Sequence, residues 1–160
     1  MTPSTAALEI VVIGAGGHGR EVYGYIRELA AAGSPVAFAG FVDEKKRSTD
    51  GPPRVLGDFA ALRAWCEPRA ASDLRYITAI GDNRARARFV AEVEARTPLR
   101  PWVLQHPRAH LGPEVVVGDG TCIAPGATLT TRVRVGRHGI VNVHASVSHD
   151  AEVADFVNIN

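Results

Sequence analysis

The chain has 160 residues and a mass of 17.0 kDa, and its 18 Lys and Arg residues nearly balance its 17 Asp and Glu residues. This balance argues against nucleic acid or an anionic membrane as the main partner, because both need a concentrated basic face. No run of about 20 apolar residues is present, so no membrane-spanning helix is predicted. The first residues lack the positive region of a signal peptide, and Cys66 and Cys122 are expected to be buried thiols of a cytoplasmic protein.

The amino-terminal part, residues 1–105, is predicted to alternate strands and helices. Apolar runs and helical spacings indicate strands over 8–13, 36–42, 74–80 and 102–104, helices over 18–32, 60–65 and 83–95, and a loop over 45–53. Asp58 is expected to cap the second helix. Such alternation predicts a parallel sheet with helices packed against it.

The second part, residues 106–160, repeats with a period of six. It contains no Lys, and it holds five of the six histidines of the chain. A triangular solenoid has this period, because each hexad forms one side and three hexads form one coil. A β-sandwich fits less well, since its strands alternate with a period of two. The aliphatic residues expected to stack inside the coils are Leu111, Val117, Ile123, Leu129, Val135, Val141, Val147, Val153 and Ile159.

A glycine-rich turn follows the first predicted strand and opens the first helix. Gly14, Gly16 and Gly19 match the G-x-G-x-x-G pattern, in which backbone and helix N-terminus approach a phosphate. Asp43, at the end of the second strand, is positioned to take a ribose hydroxyl. The pattern predicts a phosphate-bearing nucleotide without specifying NAD. The alternative is a turn that only packs the helix on the sheet.

A second turn, at Gly81, Asp82 and Asn83, follows the third predicted strand. Parallel sheets bind ligands at the carboxyl ends of their strands, so this turn is expected to face the same crevice as the first. The alternative is a simple helix cap made by Asp82 or Asn83. The arginines of the following helix are expected to form a solvated face; they are Arg84, Arg86 and Arg88.

His149 and Asp150 are the candidate acid–base pair of the second part. A histidine can accept a proton near neutral pH, and a carboxylate can orient its ring. Adjacent residues of a strand point to opposite faces, so a direct contact requires a corner of the solenoid at this place. The spacing of the other histidines does not predict a metal site. The competing histidines are His106, His110, His138 and His144.

The ordered set of motifs resembles the NeuD/PglD family of sugar O- and N-acetyltransferases. The resemblance rests on the glycine-rich turn, Phe41-Val42-Asp43-Glu44, Val55-Leu56-Gly57-Asp58, Ala79-Ile80-Gly81-Asp82-Asn83, His106-Pro107-Arg108-Ala109 and the hexads. It implies a Rossmann-like α/β domain with a parallel sheet, followed by a left-handed parallel β-helix that assembles as a homotrimer. The expected domain boundary lies between residues 105 and 106.

The resemblance implies an acetyl-CoA-dependent N-acetyltransferase that acts on a nucleotide-linked 4-amino sugar, with UDP as the expected nucleotide, and that needs no metal. His149 would be the general base and Asp150 its partner. Asn158 would lie in the acetyl-CoA site, where some family members have a second histidine. The residues that the resemblance assigns to the nucleotide sugar are Gly14, Gly16, Gly17, His18, Gly19, Asp43, Gly81 and Asn83.

Two features depart from the family pattern. Asp150 stands where the family usually has Glu, and the chain ends at Asn160, one residue into a hexad, whereas family β-helices continue well past the catalytic histidine. The natural protein is therefore expected to be longer. The alternative functions are a sialic-acid-type O-acetyltransferase and a truncated, non-catalytic protein that binds a sugar nucleotide. An NAD-dependent oxidoreductase lacks residues placed for hydride transfer.

Overall fold

The computed structural model describes residues 7–45, 53–69 and 73–160. The first elements form an α/β unit: β1 (Leu8–Ile13), α1 (Gly17–Ala31), β2 (Val36–Val42), β3 (Val55–Gly57), α2 (Phe59–Cys66), a 3₁₀ turn (Glu67–Arg69), β4 (Leu74–Thr78), α3 (Asn83–Arg96) and β5 (Arg100–Pro101). The strands pair in parallel in the order β3-β2-β1-β4-β5. This is the parallel sheet with packed helices that the alternation of elements predicts, in the Rossmann-like form that the family resemblance implies.

β1 lies at the centre of the sheet because its apolar side chains can be covered on both faces. Ile10 and Val12 join a buried cluster with Val22 of α1. Val11 and Ile13 point the other way, into a second cluster with side chains of α2 and α3. These four side chains are at most 2% exposed. Full burial of an aliphatic side chain stabilises a fold by roughly 1.5–3 kcal/mol, so this strand anchors both layers.

The hexads form a series of two-residue strands. These are β6 (Leu104–Gln105), β7 (His110–Leu111), β8 (Val116–Val117), β9 (Cys122–Ile123), β10 (Thr128–Leu129), β11 (Arg134–Val135), β12 (Ile140–Val141), β13 (Ser146–Val147), β14 (Glu152–Val153) and β15 (Asn158–Ile159). They assemble into three parallel sheets, β7-β10-β13, β8-β11-β14 and β6-β9-β12-β15. Each strand pairs with the strand 18 residues away, so that Leu111, Leu129 and Val147 are in register. The aliphatic residues predicted to stack belong to one interior cluster, as expected.

Every sixth residue adopts a left-handed backbone conformation. These residues are Glu114, Gly120, Gly126, Arg132, His138, His144, Asp150 and Phe156, with φ between 52° and 74°. A positive φ turns the chain sharply, and it costs a non-glycine residue about 1–2 kcal/mol. At Gly120 and Gly126 a side chain is also excluded, because a Cβ would overlap the rings of His138 and His144 from the next coil.

Two predictions about the strands of residues 1–105 need correction. β3 was not predicted, because a three-residue edge strand is too short to show an alternating pattern. The strand predicted over 102–104 is wrong: β5 pairs with β4, whereas β6 pairs with β9 and belongs to the hexad sheets. Most of the loop predicted over 45–53 lies outside the described residues. Both cysteines are free and buried, as predicted.

The α/β unit packs against the sheet that contains β6 and β9. Leu104, Cys122 and Ala124 belong to the same buried cluster as Tyr25 and Ile26 of α1. Across this junction the sequence prediction for one arginine is wrong. Arg86 is fully buried instead of lying on a solvated helix face, whereas its neighbours Arg84 and Arg88 are exposed.

The buried Arg86 guanidinium connects α3 to the second and third coils. Its Nε donates to the backbone oxygen of His138 at 2.9 Å, and its Nη2 donates to that of Phe156 at 2.5 Å and to Asn158 Oδ1 at 2.6 Å. Its Nη1 donates to the backbone oxygen of Ile80 at 2.6 Å. Burial lowers the pKa of the Arg86 guanidinium, while the charge of nearby Asp82 opposes that shift. This arginine therefore fixes how the two parts of the chain meet.

Candidate functional site

The glycine-rich turn between β1 and α1 contains glycines of two kinds. Gly14 and Gly19 are required by the fold: Gly14 has φ 109°, with a carbonyl oxygen 2.9 Å from its would-be Cβ, and a Cβ on Gly19 would overlap the carbonyl of Gly14. Gly16 and Gly17 are different, because a Cβ on either would meet no atom within 4 Å. No contact within the described chain requires glycine at these two positions, which leaves the backbone open to a ligand.

The amino terminus of α1 lies at this open backbone. Gly16 is the N-cap residue and offers no side-chain oxygen to the first N–H groups of the helix. Such free N–H groups, together with the helix dipole, favour an anion such as a phosphate. His18 lies in the first turn, where its Nδ1 is 3.0 Å from Glu21 Oε2, and its buried Nε2 has no hydrogen-bond partner among the described residues.

Asp43 connects the glycine-rich turn to the end of β2. Its Oδ2 accepts a hydrogen bond from the backbone of Ala15 at 2.9 Å, and its Oδ1 accepts one from the backbone of Lys45 at 2.9 Å. The carboxylate therefore shapes the turn. The sequence predicts for Asp43 only a contact with the base or ribose of a nucleotide. It does not reveal this role in the turn, because the partner is 28 residues away.

A cleft of about 270 Å³ opens at the carboxyl ends of β1, β2 and β4. Gly14 and Asp43 line it from one side. Ile80, just before the second turn, and Ala85, in the first turn of α3, line it from the other. Residues of the first turn and residues that flank the second turn thus line one crevice. The other residues assigned to the nucleotide sugar are not among those that line it: Gly16, Gly17, His18, Gly19, Gly81 and Asn83. Two aromatic rings, Phe59 of α2 and Phe89 of α3, complete the wall; they stack at 5.5 Å between ring centroids.

The second turn also serves as a helix cap. Asp82 accepts a hydrogen bond from the backbone of Ala85 at 2.7 Å, so the alternative interpretation of this aspartate is correct. Asn83 is the first residue of α3 and is exposed, as is Gly81. A Cβ on Gly81 would meet no atom within 4 Å, which again leaves backbone open beside the cleft.

His149 and Asp150 are in direct contact. His149 Nδ1 lies 2.8 Å from Asp150 Oδ2, and the His149 side chain is 74% exposed. Asp150 has φ 61°, so it occupies a corner of the coil, and this corner brings two sequential side chains together. The sequence analysis required a corner of the solenoid for a direct contact between these two side chains, and the structure has a corner at this place.

Arg132 is a third member of this group that sequence reasoning missed. Its Nε donates to Asp150 Oδ1 at 2.6 Å from the corner one coil earlier. The guanidinium of Arg132, and after it His149, lowers the pKa of the Asp150 carboxyl to about 2. The 18-residue period could have revealed this contact, because corners 18 residues apart stack on one another.

The buried histidines have structural contacts. His106 is 1% exposed and pairs through Nε2 with Glu28 of α1 at 3.0 Å. His138 is fully buried between the rings of Tyr76 and Phe156, at 5.9 Å and 5.4 Å between centroids. His110 and His144 are exposed. Among the residues described, no cluster of three or more His, Cys, Asp or Glu side chains could hold a metal ion.

Asn158 lies at the junction of the two parts. Its Nδ2 donates to the carbonyl oxygen of Gly81 at 2.6 Å, and its Oδ1 accepts from Arg86 at 2.6 Å. The residue assigned to acetyl-CoA thus contacts the turn assigned to the nucleotide sugar. The predicted site residues therefore do not form one pocket. Gly14 and Asp43 line the cleft, Asn158 contacts the second turn, and His149 contacts Asp150.

Comparison with known proteins identifies the family of this chain. The family described as PglD N-terminal domain matches residues 9–93, which is more than half of the chain. The chain belongs to the NeuD/PglD family. In the part of this family member that the structure describes, no helix is long and apolar enough to span a membrane.

Several relatives of this NeuD/PglD member are similar along most of its length. GDP-perosamine N-acetyltransferase of Escherichia coli O157:H7 is 27% identical over 149 residues, which cover 91% of this chain and 64% of the relative. The acetyltransferase domain of PglB from Neisseria gonorrhoeae FA1090, in complex with acetyl coenzyme A, is 26% identical with a TM-score of 0.77, covering 95% of this chain and 70% of that one.

PerB from Caulobacter crescentus, in complex with CoA and GDP-perosamine, is 30% identical with a TM-score of 0.77. That match covers 94% of this chain and 67% of PerB. The present chain thus spans slightly less than two thirds of the length of the curated E. coli relative.

Proposed function

We propose that this protein is an acyltransferase that moves the acetyl group of acetyl-CoA to the amino group of a nucleotide-linked 4-amino sugar. The observation that carries the proposal is the exposed His149, whose Nδ1 faces the Asp150 carboxylate at 2.8 Å. The relatives support the same chemistry, because two of them are named as N-acetyltransferases or acetyltransferase domains and two were crystallised with CoA or acetyl-CoA.

The roles in transfer follow from the orientation of the imidazole ring. When Nδ1–H donates to Asp150, the lone pair of Nε2 is free to accept a proton. His149 Nε2 takes a proton from the sugar amine as the nitrogen attacks the thioester carbon, so the C–N bond forms and the C–S bond breaks. The leaving thiolate then receives that proton from the imidazolium. Asp150 stabilises the cation in between.

The cleft of the α/β unit is the proposed binding site of the nucleotide. The open backbone at Gly16, Gly17 and Gly81 would accept the phosphates, with the N-terminus of α1 behind them. UDP is the nucleotide that the sequence resemblance favours, whereas two relatives are associated by name with GDP-perosamine. Both nucleotides therefore belong in the assay.

The proposal includes an assembly. Residues 1–105 would form the nucleotide-sugar-binding domain, and residues 106–160 would form about three coils of a left-handed β-helix. Three copies would associate through the β-helix, and the protein would act in the cytoplasm. The three parallel sheets with an 18-residue repeat support the β-helix.

The test is acetyl transfer with a matched pair of variants. The purified chain is incubated with acetyl-CoA and a UDP- or GDP-linked 4-amino sugar, and thiol release and product mass are followed. We expect H149A to lower the rate at least about a hundredfold, the usual size of a general-base contribution. H110A is the control, because His110 is another exposed histidine of the hexad repeats. A smaller loss in H149A would remove His149 from the role.

Two further outcomes separate the alternatives. A product that loses its acetyl group in mild base is an ester and indicates O-acetylation, whereas an amide survives. A chain that binds the nucleotide by calorimetry but not acetyl-CoA indicates a non-catalytic binding protein.

A further inference from the structure

Asp150 is held by two partners at the same time. Its Oδ1 accepts from Arg132 Nε at 2.6 Å, and its Oδ2 faces His149 Nδ1 at 2.8 Å. Each oxygen of the carboxylate thus has its own partner. The arrangement is a continuous line of contacts from a permanent cation, through a carboxylate, to the histidine of the proposed reaction.

The backbone of the coils fixes this line. Arg132 and Asp150 both occupy corners, with φ of 54° and 61°, and they lie 18 residues apart, one coil above the other. The same corner hydrogen bond recurs at both places: the N–H of Arg132 donates to Pro113 and that of Asp150 donates to Thr131, each at 3.0 Å. Stacking of the coils therefore brings the two side chains together, and the contact does not depend on a chance meeting of long side chains.

We propose that Arg132 is a positioning residue that orients the Asp150 carboxylate toward His149 and competes with His149 for its charge. The inference rests on the proposed role of His149 as general base. By binding Oδ1, Arg132 leaves Oδ2 directed at the imidazole, which selects the tautomer with a free Nε2. Its positive charge also offsets part of the Asp150 charge that faces the ring.

Other charges also face Asp150 across the adjoining groove. The groove has a volume of about 350 Å³ and is lined by Glu114, Val116, Arg132, Arg134, Asp150 and Glu152. Glu114 is the corner residue below Arg132 in the same column, and Arg134 and Glu152 face one another on paired strands. Apart from Arg132, the groove offers Asp150 two carboxylates, Glu114 and Glu152, and one guanidinium, Arg134. Together these three charges do not favour another anion. Arg132 is the cation in direct contact with Asp150.

Removing the charge of Arg132 should therefore strengthen the hold of Asp150 on the protonated ring. In R132Q we expect the midpoint of the His149 titration to lie above that of the parent chain, because the cation in contact with the Asp150 carboxylate is lost. Gln keeps an unbranched stem at this left-handed corner. The shift should shrink as salt is added, because the groups are exposed.

The experiment is an NMR titration of the ¹⁵N-histidine-labelled chain, with the His149 signals identified by their loss in H149A. R132K keeps the charge and should titrate like the parent chain. R134Q removes a charge from the same groove without touching the contact at Asp150, and it should also leave the midpoint in place. The acid limb of the kcat/KM profile of R132Q should move by the same amount as the ring titration.

The outcomes distinguish this inference from the proposed function. An unchanged midpoint in R132Q, or an equal shift in R134Q, overturns the role of Arg132 whatever the activity. A shift that appears in R132Q and not in R132K supports it. If H149A keeps its activity while the R132Q midpoint still moves, the proposed reaction is wrong but the coupling of Arg132 to His149 through Asp150 stands.

Discussion

Replacing Arg86 by Met should destabilise the protein strongly. Met keeps an unbranched stem of similar length in the buried site but removes every N–H group that now reaches Ile80, His138, Phe156 and Asn158. Most of these acceptors are backbone carbonyls, which no second mutation can remove. The substitution therefore leaves buried carbonyl oxygens without hydrogen-bond donors. It is not the replacement of both partners of a polar contact by apolar groups.

The magnitude follows from those acceptors. Arg86 is 0% exposed, so little water can replace its hydrogen bonds. Leaving a buried partner unsatisfied costs about 1–3 kcal/mol, and breaking a buried charged network costs about 3–5 kcal/mol in total. Removing the desolvated guanidinium returns part of this free energy. We therefore expect R86M to lose about 3–4 kcal/mol in the free energy of unfolding, and R86K about half as much.

The assay is urea unfolding at a fixed protein concentration, followed by circular dichroism. R84M is the matched control, because Arg84 is an exposed neighbour on the same helix; a surface change of this kind should stay within about 0.5 kcal/mol. If R86M unfolded within about 1 kcal/mol of the parent chain, the contacts of Arg86 would not hold the two parts together, and the argument from buried acceptors would be refuted.

Three further predictions concern glycines and a buried histidine. G16A should leave stability nearly unchanged, because its Cβ meets no atom, yet weaken nucleotide binding in calorimetry; G19A should instead destabilise the chain by overlap with a backbone carbonyl. Equal losses of stability in both would contradict the distinction. G120A combines φ 74° with an overlap on the next coil and should lose about 1–3 kcal/mol, whereas G24A, in the open on α1, should be neutral or stabilising by up to about 1 kcal/mol. His138 is buried and its pKa is lowered, chiefly by that burial, so the unfolded chain binds the proton more readily. Stability should therefore be complete above about pH 6.5 and fall as the pH is lowered below it, less steeply in H138Q than in the parent chain; identical slopes would show that another group is responsible.

Much of the fold follows from local patterns. The strand at 8–13, the helix near 18–32 and the hexad aliphatics were predictable because each pattern repeats over a few residues. The edge strand Val55–Gly57 and the two-residue β5 were not, since such short segments gain their structure only from the neighbour that they pair with. The intrinsic strand propensity of such a segment does not depend on its neighbour, so the sequence pattern alone does not predict these strands.

The candidate site divides in the same way. His149 and Asp150 could be named from their residue types and from the resemblance, and their contact required only one condition, a corner at Asp150. Arg132 could not be predicted as a site residue, because its contact depends on which residue lies one coil above it. The tertiary structure supplied that partner.

The amino-acid sequence by itself determined the alternation of helix and strand, the period of six and the positions of the two glycine-containing turns. These are properties that neighbouring residues express along the chain. Only the tertiary structure decided that Arg86 is buried and bonded to the carbonyl of Phe156, which is 70 residues away in the sequence. It also decided that the Asp150 carboxylate binds both Arg132 and His149. The physical reason is that burial and charge pairing depend on which surfaces meet after the coils stack and the α/β unit packs against them.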